Sequence, residues 1–155
     1  MNQNLPITIT LAPAQPADLD ALIGIRLDAM RKSLERIGRF DPQRARERFT
    51  STFDPQKTRH IEVNGQRVGL VVISHSEDAL LLDHLYLKPT SQGQGIGSKV
   101  LEQLFDQADK AGLQIKVGAL KLSDSNRFYE RHGFELVESG EFDNYYVRRP
   151  VRPAE

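Results

Sequence analysis

The chain has no cysteine. That absence excludes disulfides, thiolate metal sites and a cysteine nucleophile. It also has no net charge, since 21 Lys and Arg balance 21 Asp and Glu. Nucleic-acid binders usually carry a basic excess, so a nucleic-acid partner is not expected. No apolar run approaches the ~20 residues of a membrane span, and no membrane partner is expected. The opening MNQNLPITIT lacks the basic start and long apolar segment of a signal peptide, so a cytoplasmic location is the default expectation. Repeats, linkers and low-complexity segments are missing too. His60, His75 and His132 are scattered without metal-ligand spacing, and no metal site is expected.

What remains is an ordinary globular composition, 39% hydrophobic and 27% charged over 155 residues. One domain over 1–155 is the natural division, with a loose, proline-rich charged tail from about 150. Alternating Ile7, Ile9 and Leu11 predict a first strand, broken by Pro13 and Pro16. Asp18 is a fitting N-cap for a helix carrying Leu19, Leu22, Ile23, Leu27, Met30, Leu34 and Ile37 on one face. Gly38 stops it. Asp41-Pro42 opens a second helix to about Thr52. Strands follow at Thr58–Val63 and Arg67–Ser74, joined by an Asn64-Gly65 hairpin turn. Ala79–Leu87 is apolar enough for a central strand.

The centre of the sequence is what comes next. Gly93, Gly95 and Gly97 stand at alternate positions in a short loop, and a helix runs from there to about Lys110. Strand, glycine loop and helix form a phosphate-binding design, because glycines let backbone approach an anion and the first helical N–H groups point at it. The spacing fails the G-x-x-x-x-G-K-[S/T] loop of nucleotide triphosphate enzymes. It fails the G-x-G-x-x-G dinucleotide fingerprint as well. Beyond Gly112, Leu113–Ala119 is a strand parallel to Ala79–Leu87, Asn126–His132 a short helix, and Phe134–Glu138 and Tyr145–Arg149 two last strands. Their turn falls at Gly140 or at Asp143-Asn144. The order β-α-α-β-β-β-α-β-α-β-β gives a mixed α/β (α+β) domain with a mostly antiparallel sheet of about seven strands and about four helices.

Gln92-Gly93-Gln94-Gly95-Ile96-Gly97 fits the pattern Q/R-x-x-G-x-G/A, and here the sequence resembles the GNAT N-acetyltransferase family. The preceding LDHLYLKP is similar to that family's strand before the loop. Asn126 through Phe134, with Phe128-Tyr129 and Gly133-Phe134, is similar to its second signature. The resemblance spans nearly the whole chain and implies the acyl-coenzyme A N-acyltransferase fold. It implies acetyl-coenzyme A as co-substrate and direct attack of a primary amine, most simply on a small molecule. Non-catalytic sensing of acyl-coenzyme A and acetylation of a protein or peptide are the alternatives.

The resemblance further implies that backbone amides of Gln92, Gly93, Gln94, Gly95, Ile96, Gly97 and Ser98 hold the pyrophosphate. Leu85, Tyr86 and Leu87 then lie along the pantetheine arm, with the Leu85 N–H as oxyanion donor. Gln92 stands where arginine is often found, which puts more of the binding on backbone. Tyr129 matches the tyrosine that acts as general acid, and Asn126 orders its helix or touches the cofactor. His84 or Asp83 is the candidate base. Being consecutive, they should face opposite ways unless a bulge intervenes, and His84 has the better intrinsic pKa. Acceptor choice falls to the first two helices and the last hairpin, which carry Arg26, Met30, Arg31, Arg39, Phe40, Asp41 and Phe142 to Tyr146. Arg31, Phe40 and Tyr145 are the residues singled out. Monomer and homodimer both remain open.

Overall fold

The computed structural model describes residues 7–151; the opening residues and the last four of the expected loose tail lie outside them. A seven-stranded sheet in the order β1-β2-β3-β4-β5-β7-β6 runs through the molecule. Its strands are β1 (Ile9–Pro13), β2 (Thr58–Val63), β3 (Gln66–His75), β4 (Ala79–Leu87), β5 (Gln114–Leu120), β6 (Glu135–Ser139) and β7 (Asp143–Arg148). Every pairing is antiparallel except β4 with β5. The parallel pair is the one joined through a helix, as the connection requires. The helices are α1 (Leu19–Arg36), α2 (Pro42–Thr52), α3 (Ile96–Ala111) and α4 (Ser125–Arg131).

Each face of the sheet has its own apolar layer. Ile96, Val100, Leu101, Leu104 and Ala108 of α3 and Tyr129 of α4 pack on Leu80, Leu82, Ile115 and Val117. On the other face Leu22, Ile23 and Ile25 of α1 and Phe49 of α2 cover Leu70, Val72 and Tyr86. Leu22 and Ile23 are fully buried, each side chain contributing about 1.5–3 kcal/mol of transfer free energy. The buried residue of the second helix is Phe49, which stacks on Phe53 and meets the His84 ring. That one aromatic anchors α2.

Local rules account for most boundaries. The Asn64-Gly65 turn has positive φ at both residues, 51° and 86°, as a two-residue hairpin of this type needs. Asp41 caps α2 by accepting from the Arg44 N–H at 3.1 Å. The last turn falls at Gly140, whose N–H bonds the Asp143 carbonyl, so Asp143 and Asn144 belong to β7.

Asp18 departs from expectation. It stands at the N-cap position of α1 but makes no side-chain cap there. Its carboxylate instead accepts from the Gln15 N–H, as the capping box of the preceding 3-10 turn, and from buried His60 Nε2, at 2.8 and 2.9 Å. The short turn before α1 and a tertiary partner share the carboxylate between them. The His60 bond foremost, then the Gln15 N–H, holds the Asp18 carboxyl below its usual range. A depressed carboxylate adds stability above its unfolded pKa and loses it as pH falls through the folded one. Asp18→Asn should therefore lower the melting temperature at neutral pH, with the gap to wild type closing below about pH 4. A gap independent of pH would remove the Asp18 carboxylate charge from the account.

Candidate active site

The site is built around an irregularity in β4. Val72 pairs with His84 and the next residue, Ile73, pairs with Leu82, so Asp83 is an extra residue. Such a bulge shifts the strand's phase by one. Leu80 and Leu82 belong to the α3 layer before it, and Leu85 and Leu87 pack against that same layer after it. His84 and Tyr86 are turned to the α1–α2 side, where Tyr86 packs and the His84 ring meets Phe49. The bulge also brings Asp83 and His84 to one cavity, of about 440 Å³, lined by Phe49, Phe53, Asp54, Lys57 and Ser74 as well. The opposite facing expected of consecutive residues does not hold here, because alternation breaks at the extra residue.

The same place ends the β4–β5 ladder. Only Ala79–Leu82 pairs with Gln114–Val117; beyond Leu82 the two strands part. The Lys88 N–H bonds the Val68 carbonyl, which makes Leu87 and Gly69 a non-hydrogen-bonded pair. By alternation Leu85 opposite Val71 is another such pair. The N–H and C=O groups of Leu85 and Leu87 therefore turn away from β3 into the gap. At its end, the Gln92 side-chain amide donates to the Leu87 carbonyl at 3.1 Å and fastens the glycine loop to the strand.

In that loop the three glycines serve two ends. Gly93 and Gly95 hold φ of 76° and 79°, the left-handed region that glycine occupies freely. Gly97 is needed for packing: a Cβ there would lie 3.0 Å from the Phe128 ring. Gly95 is the N-cap of α3 and has no side chain to cap with. The N–H groups of Ile96, Gly97 and Ser98 are left as the first-turn donors of a sixteen-residue helix. Gln94 donates its amide to the Thr90 carbonyl. The Ser98 hydroxyl shares a 2.8 Å hydrogen bond with His132 Nε2, and His132 Nδ1 donates to the Phe128 carbonyl. What Gln92, Gln94 and Ser98 offer a ligand is main chain.

Across the gap, Tyr129 lies in an aromatic box of Phe128, Phe134 and Tyr146. Its hydroxyl has no protein hydrogen bond among the described residues, yet its oxygen is not sealed off. Burial, with the nearby Tyr86 second, holds this phenol well above its ordinary pKa, so it is a loaded O–H donor at neutral pH. Asn126 is different. Its amide donates to the Leu120 and Ser123 carbonyls, and its oxygen accepts from Asn144 and from the Tyr146 hydroxyl. Fully engaged, it pins α4 to β5 and β7 and has nothing left for a cofactor.

His84 Nδ1 shares a 3.1 Å hydrogen bond with the Tyr86 hydroxyl. Burial first, then the Arg26 charge, pushes the His84 pKa down to about 4. The ring is neutral through the physiological range but a much weaker base than its intrinsic pKa suggested. The Asp83 carboxylate accepts from the Ser74 hydroxyl. Of the acceptor residues singled out, Arg31 and Phe40 stack on each other at 5.0 Å at the solvent-facing end of α1, and Arg31 is tied to Glu35. Tyr145 lies half-exposed beside Gly118 and Gly140. The residue that does lie against β4 is Arg26, on the inward face of α1 beside Tyr86. Its position four after Leu22 and three after Ile23 was the available signal.

Residues 56–136 match the acetyltransferase (GNAT) domain family. The ribosomal protein bS18 alanine N-acetyltransferase of Haemophilus influenzae is 33% identical over 86 residues, 55% of this chain and 58% of that one, so the match spans a little over half of that relative. Among solved structures, the PaiA N-acetyltransferase of Thermoplasma acidophilum in complex with coenzyme A superposes with a TM-score of 0.75, at 15% identity over 94% of this chain and 99% of that one. The ribosomal-protein-S18-alanine N-acetyltransferase of Escherichia coli superposes at 0.68, with 18% identity over 97% of each chain. At those identities the superpositions speak for the fold alone. With the family match covering more than half of its residues, the chain belongs to the GNAT acetyltransferase family.

Proposed function

We propose that the protein is an acetyl-coenzyme A-dependent N-acetyltransferase that acts on a primary amine by direct attack. The observation that carries this is the parting of β4 and β5 at Leu82, with the uncapped α3 N-terminus at one end and the Tyr129 hydroxyl beside it. First-turn N–H groups fit a pyrophosphate, and unpaired strand groups fit the amide-bearing arm of coenzyme A. The thioester supplies the acetyl group. The Leu85 N–H stands as donor to its oxygen as charge develops there. Tyr129 donates to the departing sulfur. The cavity at the bulge takes the amine, with Asp83 and His84 at its wall. Because His84 titrates near 4, an amine that arrives already neutral needs little from it.

A small molecule is the acceptor favoured by the size of the partly open cavity at the β4 bulge, about 440 Å³. The second reading, a protein N-terminus, is favoured by the activity that names the bS18 relative. The decisive experiment follows thiol release from acetyl-coenzyme A with small amines and with peptides. The protein has no cysteine and adds no thiol background. Acceptor-dependent release is expected, with an acid limb set by the acceptor's ammonium group, at about 8 for an α-amine. Acetyl-coenzyme A binding without release on any acceptor would instead make the protein a sensor. A limb near pH 4 would return the proton transfer to His84.

A further inference from the structure

We propose that Arg26 determines acceptor specificity by taking a carboxylate carried by the amine substrate. The proposal rests on the acetyl-transfer reading for what happens at the substrate's other end. Arg31, Arg46, Arg67 and Arg148 have a carboxylate within 4.0 Å; Arg26 is among the described arginines that have none, and its buried Nε sets it apart from them. Arg26 is also the one drawn beneath α2. Its Nη1 donates to the Ala45 carbonyl at 3.2 Å, its guanidinium also reaches the Tyr86 hydroxyl, and its Nε is buried without a partner among the described residues. A guanidinium keeps its charge whatever its surroundings. Burying such a donor without an acceptor is costly, and the cost is recovered only when an acceptor arrives.

Its position says which acceptor. Arg26 lies beside the Tyr86 hydroxyl and acts electrostatically on His84, the two β4 residues that the bulge turns to this side. His84 is in turn a wall of the cavity proposed for the amine. That wall carries Asp54 and Asp83, which suit an ammonium group, and a single cation, Lys57. Two carboxylates against one lysine at the wall, with Arg26 under α2, match an amine that also bears a carboxylate, an amino acid or a compound like one. The planar fork of arginine is made for a carboxylate. Of the remaining charges nearby, Arg48 acts on His84 with the same sign as Arg26, and Asp143, which acts on Tyr86, forms no ion pair with Arg26 among the described residues.

The test is a binding measurement that needs no turnover. With coenzyme A present, the N-acetyl derivatives of the twenty common amino acids and their matched carboxamides are titrated by calorimetry. At least one acid should bind roughly 10- to 100-fold more tightly than its amide, the range of a hydrogen-bonded charge pair. Arg26→Gln should erase that ratio and leave coenzyme A affinity unchanged, and Arg26→Lys should restore part of it. A purely structural Arg26 would not move the acid-to-amide ratio. Equal binding of acid and amide throughout, no binding by any acid, or a ratio that survives Arg26→Gln would each overturn the proposal. If Arg26→Gln fails to fold, the wild-type ratio and the Lys variant still decide. Carboxylate-dependent binding without thiol release on any acceptor would keep Arg26 and sink acetyl transfer.

Discussion

Gly95→Asp is expected to weaken acetyl-coenzyme A binding by at least about 100-fold in calorimetry, with the circular dichroism spectrum unchanged. Gly95 sits at φ 79° and ψ 5°, and a Cβ built there meets nothing within 4 Å. The substitution therefore costs strain, about 1–2 kcal/mol, but no clash. Aspartate is among the residues that best tolerate the left-handed region, and it is a preferred N-cap. Those same properties ruin the site. The new carboxylate can accept from the α3 first-turn N–H groups, and it sets a negative charge where a pyrophosphate must lie. Two like charges at 4 Å repel by about 4 kcal/mol at an effective dielectric of 20, which is close to a thousandfold. Gly95→Ala is the control, carrying the strain without the charge, and its loss should be small. Binding of the aspartate variant within threefold of wild type would mean that the loop does not hold the phosphates.

Tyr129→Phe should lower kcat by about 100- to 1000-fold, the usual worth of a positioned proton donor. The dissociation constant for acetyl-coenzyme A should stay within about twofold, and the melting temperature should barely move. Stability is spared for a specific reason. The hydroxyl has no protein partner among the described residues, so its removal orphans none of them, and the aromatic contacts to Phe128, Phe134 and Tyr146 survive. A buried phenol with a raised pKa is a poor acid in isolation but always holds its proton. Its value lies in the hydrogen bond it gives to sulfur as charge gathers there. A kcat within threefold of wild type would exclude Tyr129 from the mechanism and leave it as core.

The element order was legible in the chain because the decisive signals are local. Asn64-Gly65, Asp41-Pro42 and the glycine loop each act within a few residues, and β2 and β4 have the bounds read from sequence. Tertiary competition is what local reading misses. Asp18 looks like a cap until His60, 42 positions away, claims its carboxylate. Asn126 looks available until β7 arrives with Asn144 and Tyr146. Arg26 is one arginine among many until α2 closes over it. The bulge lies between these cases. In LLLDHLYL the leucines facing α3 change from even positions, Leu80 and Leu82, to odd ones, Leu85 and Leu87. That change of parity marks an extra residue, but strict alternation passes over it. The glycines carry a related lesson, since one motif satisfied two different demands.

A seven-residue helix has almost no persistence of its own in water. Besides the Asn126 bonds to β5 and β7, α4 is steadied at the first turn of α3, where Gly97 receives the Phe128 ring and Ser98 holds His132. That turn is the one whose N–H groups await an anion. The phosphate end of the donor and the phenol that meets its sulfur are thus mounted on a single joint. Whatever steadies the joint steadies Tyr129, and a donor bound first would set the acid in place before any acceptor enters.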